Sequence, residues 1–148
     1  MKFGISNIGW SKDDNQYIVN IFKKYDIKNL EYAPNLLSKD LSSKKKQSEI
    51  KKYWNKNNIN LYSMQSILYG TKDAYIFGTL KQKNIFFNEI KKKINLAKKL
   101  NSKVIVFGSP DSKNTFGKSR KVLDKIFENT LRKISRLCEK KKIIFCLE

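Results

Sequence analysis

Five apolar runs in this chain each give way to polar residues, and those residues are where chemistry could be done. In order they are Ser6, Asn7 and Trp10, then Glu31, then Gln65 and Ser66, then Gly108 and Ser109, and finally Glu148. Hydroxyls, amides and carboxylates gathered at one end of apolar strands suit a pocket for a hydroxyl-rich small molecule, because buried hydroxyls need matched donors and acceptors. Strand ends are also polar simply because loops begin there, so each residue carries a bland reading beside the functional one. Glu148 differs from the rest. It closes KKIIFCLE, a run with no polar alternation that reads as a strand buried on both faces. A lone carboxylate there would be costly to desolvate unless a divalent metal or a fixed hydrogen-bond partner met it. A metal would need further ligands, and the chain contains no histidine.

The elements that must position these residues follow from periodicity. Strands are expected in KFGIS from Lys2, NLEYA from Asn29, INLYSMQ from Ile59, KVIVFGS from Lys103 and KIIFCLE from Lys142. Between them, Tyr17, Ile18, Ile21, Phe22 and Tyr25 repeat as one helix face, with Ser11 and Asp14 placed as a capping box ahead of it. A second helix carries Ile50, Tyr53 and Trp54. A third sets Phe86, Phe87, Ile90, Ile94, Ala97 and Leu100 on one side and lysines on the other. A fourth carries Leu123, Ile126, Phe127, Leu131, Ile134, Leu137 and Cys138. This alternation of strand and helix, with units at or above the roughly 30 residues a crossover needs, predicts an α/β protein with parallel strands. Two architectures satisfy it: an open five-stranded sheet, or the N-terminal part of a (β/α)8 barrel, about four and a half units of it. An open sheet would normally cover its last strand with a helix, and none follows here. The barrel reading therefore expects about three and a half further units, and treats residues 1–148 as a single, incomplete barrel domain.

Several function classes are excluded by pattern. GISNIGWSKD lacks the GxGxxG of a dinucleotide site, and FGKSR contains GKS but has Ser112 where a phosphate loop needs its first glycine. Cys138 and Cys146 have no zinc-like spacing and read as free thiols. No secretory signal and no apolar stretch approaching the roughly 20 residues of a membrane span is present, which places the protein in the cytoplasm. The net charge of +19, from 32 basic and 13 acidic residues, raises the question of nucleic acid. Arginine, the residue suited to bidentate phosphate and base contacts, occurs only at positions 120, 132 and 136, and the lysines are spread over every helix; the charge reads as a solvated surface. Two long loops remain. SILYGTKDAYIFGTLKQ, with Tyr69, Tyr75 and Phe77, could cover a pocket or pack on a rim. GSPDSKNTFGKSR places Lys113, Lys118 and Arg120 where an anion could be received.

Taken together, GISNIGW, NLEYAP, YSMQSILYG followed by IFG, KVIVFGSP and the closing IIFCLE resemble the sugar phosphate isomerase/epimerase group of the xylose isomerase-like TIM barrel superfamily. The resemblance runs over the whole chain. It implies a barrel with a divalent metal at the carboxyl ends of its strands, and proton transfer beside the carbonyl of a sugar or sugar phosphate. It makes Glu148, closing the fifth strand, a metal ligand and an acid/base group. It assigns the remaining ligands, an aspartate, a histidine and a second glutamate, to strands six to eight. Departures exist: Asp111 follows FGSP where relatives often have a basic residue, and Gln65 stands where several members carry histidine. Glutamine can still donate to and accept from a sugar hydroxyl.

The expectation is thus the front part of a metal-dependent sugar isomerase or epimerase, inactive by itself, with Glu148 reactive, Gln65, Ser109 and Glu31 binding substrate and Trp10 as an apolar wall. The alternatives are a non-catalytic half-barrel or basic nucleic-acid-binding module, and an endonuclease IV-like repair nuclease, against which the missing histidines argue. The isolated chain is expected to be marginally stable and to self-associate through its unfinished barrel edges.

Overall fold

The computed structural model describes residues 3–38 and 40–148. Its five strands are β1 (Gly4–Ser6), β2 (Asn29–Tyr32), β3 (Asn60–Met64), β4 (Val104–Phe107) and β5 (Ile144–Leu147). All pair in parallel, in the spatial order β1-β2-β3-β4-β5. That order decides between the two architectures. An open doubly wound sheet reverses its strand order at a switch point, whereas strands laid down one after another in sequence form the wall of a barrel. The expected start of the first strand at Lys2 lies outside the described residues.

Helices α1 (Asn15–Lys24), α2 (Pro34–Leu37), α3 (Lys44–Lys56), α4 (Leu80–Leu100) and α5 (Arg120–Lys141) fill the connections. Their ends are written in the sequence. Thr79 and Gln82 cap each other's backbone at the start of α4, and Ser43 accepts from the Lys46 amide at the start of α3. Asn101 and Lys142 end α4 and α5 in the left-handed conformation, at φ 66° and 57°. Ahead of α1 the Asp14 carboxylate accepts from the Ser11 amide and hydroxyl at 3.2 and 2.7 Å.

The helices pack on one face of the sheet. Phe22, Leu30, Tyr32, Met64, Phe86, Ile90, Ile94, Ile105 and Phe107 are at most 1% exposed there, and Phe86 meets Phe107 edge-on at 5.7 Å. Each such side chain contributes about 1.5–3 kcal/mol by leaving water. α4 buries the stripe expected of it, with Leu96 in addition and Phe87 half-buried. α1 is turned relative to expectation: Val19 and Phe22 enter the core while Tyr17 and Tyr25 stay exposed, which keeps their hydroxyls in water.

β5 also departs from expectation. Ile144 is 62% and Leu147 46% exposed, so this strand is not buried on both faces. It is an outer strand of the sheet, with β4 as its one paired neighbour among the described residues. An apolar run records what a strand can bury, and burial itself needs a covering layer.

Candidate active site

Side chains alternate between the two faces of a strand, and in-register neighbours line up across the sheet. Ser6 pairs with Glu31, and Glu31 with Ser63, a register produced by an irregularity between Leu30 and Glu31. The buried Leu30 and Tyr32 face the helices, so Glu31 emerges on the opposite, half-open face. There each oxygen of its carboxylate accepts one hydrogen bond. Oε1 accepts from the Gln65 amide at 2.9 Å and Oε2 from the Ser63 hydroxyl at 2.9 Å; the same Gln65 nitrogen also donates to the Ser6 hydroxyl oxygen. Gln65 and Glu31, both expected at the site, are brought together with Ser6, and Ser63 joins them although sequence reasoning passed over it. A serine in the middle of an apolar strand was the available signal.

At the other side of the sheet, Phe107 pairs with Leu147, which sets Gly108 beside Glu148. The Glu148 amide donates to the Phe107 carbonyl at 3.2 Å and prolongs the ladder by one bond. Its carboxylate lies over Gly108 so closely that a Cβ added there would stand 2.6 Å from Oε2. Glycine at 108 is what gives the carboxylate room. Glu148 is exposed, so the desolvation cost expected for it does not arise among the described residues. The Lys113 ammonium donates to the Glu148 main-chain oxygen and sits 5.3 Å from the centre of the Phe107 ring.

Trp10 and Asn7 also make contacts that hold the scaffold. The Trp10 indole donates to Asn15 Oδ1 at 2.9 Å and meets Phe22 edge-on at 6.4 Å, while the buried Asn7 accepts from the Ala33 amide at 2.8 Å and ties the ends of β1 and β2 together. Tyr32, on the helix side, shares a 2.7 Å hydrogen bond with Ser102, and burial pushes its phenol well above the ordinary value. Ser66 turns the chain away from Gln65 with φ 51°. The Ser109 carbonyl accepts from the Ser112 hydroxyl at 2.7 Å within a short 3-10 turn over Pro110–Lys113, and the Ser112 carbonyl accepts from the Ile76 amide at 2.9 Å. This last bond joins the two long loops. In the first of them Phe77 is buried beside Phe127, Tyr75 stands edge-on to Phe116, and Tyr69 is 76% exposed. The three cations of the second loop have separate partners: Lys113 as above, Lys118 over the Phe116 ring at 5.3 Å, and Arg120 with Asp124 at 2.8 Å. Between the loops lies a cleft of about 1170 Å³ that reaches Ser66 on one side and Ser109 on the other.

No protein-family model and no curated protein matches this sequence. Solved structures do. The chain aligns over 99% of its length with 55% of 3-keto-D-glucoside 4-epimerase from E. coli, at TM-score 0.71 and 15% identity. It aligns over 99% with 52% of D-psicose 3-epimerase from Clostridium cellulolyticum H10, solved with D-tagatose, at TM-score 0.74 and 18% identity. The IolI protein with a zinc atom gives TM-score 0.71 at 15% identity, over 99% of this chain and 51% of that one. The fold is one half of a TIM barrel. The chain spans about half the length of the solved structures it matches, and this half-barrel has the parallel strands and alternating helices read from the sequence.

A divalent metal can be tested against the donors of the half-barrel. Such an ion takes about six oxygen or nitrogen ligands, or four in the case of zinc. Among the described residues no three His, Cys, Asp or Glu side chains cluster so as to hold one. Each Glu31 oxygen already accepts one bond, from Gln65 and from Ser63, and Glu148 is a single exposed carboxylate. The half-barrel alone does not fit a metal. Both cysteines are free, Cys138 buried and Cys146 half-buried, and among the described residues no helix is long and apolar enough to cross a membrane.

Proposed function

We propose that the chain forms the front part of a cytoplasmic sugar or sugar phosphate isomerase or epimerase, a single incomplete barrel domain over residues 1–148. The observation that carries the reading is the Glu148 carboxylate, aimed over Gly108 at the end of the fifth strand of a half-barrel whose solved counterparts include sugar epimerases. Glu148 would move a proton to or from the carbon beside a sugar carbonyl, where a positioned carboxylate contributes about 10²–10⁴-fold. Gln65, its nitrogen held by Ser6 and Glu31, would present its amide oxygen to a substrate hydroxyl, and Ser109 would meet the substrate from the neighbouring strand end. Trp10 would close the apolar side of the pocket through its ring face.

A divalent metal belongs to this proposal only in a completed barrel, with Glu148 as one ligand and the others from outside the described residues; bound there, it would polarise the carbonyl. The outer strands β1 and β5 would be covered by the remainder of the barrel or, in this chain alone, by self-association. The test is solvent proton exchange at the carbon beside the carbonyl of D-fructose, followed by NMR in D2O, with the full-length protein and a divalent metal supplied. Exchange that disappears in Glu148→Gln is the expected result. Undiminished exchange in that variant, or none in the wild type, would overturn the assignment.

A further inference from the structure

The cleft between the loops after β3 and β4 is larger than a single small sugar needs. Its volume of about 1170 Å³ exceeds that of ordinary small-molecule sites, roughly 300–1,000 Å³. Its charge is the informative property. In a chain where basic residues outnumber acidic ones 32 to 13, the lining carries two of each: Lys72 and Lys113 against Asp73 and Asp111. A phosphate entering there would meet two carboxylates, and one of the two lysines is already turned to the Glu148 main chain and the Phe107 ring.

The aromatic residues point the same way. Tyr69 lines the cleft with 76% of its surface exposed, and Tyr75 lines it while braced edge-on by Phe116 at 5.2 Å. A pyranose ring has a C–H face that packs on such a phenol and a rim of hydroxyls that needs donors and acceptors, here offered by serine, threonine and asparagine side chains along the walls. The cleft reaches Ser109, the residue after Gly108, and Lys113, which donates to the Glu148 main-chain oxygen, so a ring seated in it would lie beside a sugar reacting at Glu148.

We infer that this cleft receives a neutral glycosyl unit attached to the reacting sugar, so that the substrate class is an uncharged glycoside rather than a sugar phosphate. The inference rests on the epimerase reading of Glu148. Calorimetric titration of the full-length protein with D-fructose, 6-O-glucosyl-fructose and fructose 6-phosphate tests it. The glucosyl compound should bind about five- to tenfold more tightly than fructose. Tyr69→Ala, at an exposed position where folding is not at stake, should remove that advantage and leave fructose binding unchanged. Fructose binding with no glucosyl gain, or with a gain for the phosphate instead, overturns the inference and leaves the epimerase reading intact. A glucosyl gain that persists in both Tyr69→Ala and Tyr75→Ala also overturns it. Binding of none of the three sugars overturns both.

Discussion

The ends of β1 to β3 and the ends of β4 and β5 carry similar residue types and use them in opposite ways. At the first, one glutamate, one glutamine and two serines satisfy each other within the sheet. At the second, a glutamate lies over a glycine, exposed to solvent. A carboxylate with a fixed donor on each oxygen is held in place, and a carboxylate left open can exchange a proton or meet a ligand. The difference teaches that strand-end polarity by itself does not mark reactive groups; what distinguishes them is whether the protein has already used their hydrogen bonds.

The largest expected effect lies on the open side. Glu148→Gln should lower kcat for proton exchange about 10²–10⁴-fold, with thermal unfolding of the 148-residue chain unchanged because the side chain is exposed there. A loss of activity that tracks a fall in Tm would erase the contrast. Gly108→Ala comes next. The added methyl would stand 2.6 Å from Glu148 Oε2, and the flexible carboxylate must swing aside, so kcat should fall about 10²-fold at near-native stability.

On the closed side the signature should invert. Gln65→Leu removes the donor from Glu31 and Ser6 and should cost about 1–3 kcal/mol, read as a lower urea midpoint at unchanged m-value. A midpoint equal to that of wild type would show the network to be ornamental. The smallest effect is chemical. Burial pushes the Cys138 thiol up to about 11, leaving roughly one part in a thousand as thiolate at pH 8, whereas Cys146 is half-buried on β5. A maleimide should therefore modify Cys146 of the 148-residue chain first, as peptide mapping would show; equal labelling of both would mean that the helix side is as open as β5.

Much of this architecture was legible because it depends on local pattern. The apolar runs placed all five strands, and the 3.6-residue spacing of Phe86, Ile90, Ile94 and Ala97 fixed the buried face of α4. What escaped depends on partners. The register that brings Ser63 opposite Glu31 arises from an irregularity between two strands, which neither strand's sequence records. The run IIFCL looked doubly buried because its composition permits it, yet the burial of Ile144 is decided by whatever covers β5. α2 and the 3-10 turn over Pro110–Lys113 are four residues each, too short for periodicity to speak. In α1 an aromatic and aliphatic stripe admitted two rotations, and phenol hydroxyls favoured the one that leaves Tyr17 and Tyr25 in water.

The single hydrogen bond from the Ile76 amide to the Ser112 carbonyl has a consequence for entropy. Two long loops that would otherwise fluctuate independently are stapled near their bases, so the conformational freedom lost when a ligand orders one of them is in part already lost for the other. The two loops should then quieten together, and hydrogen exchange should slow in both when only one is touched.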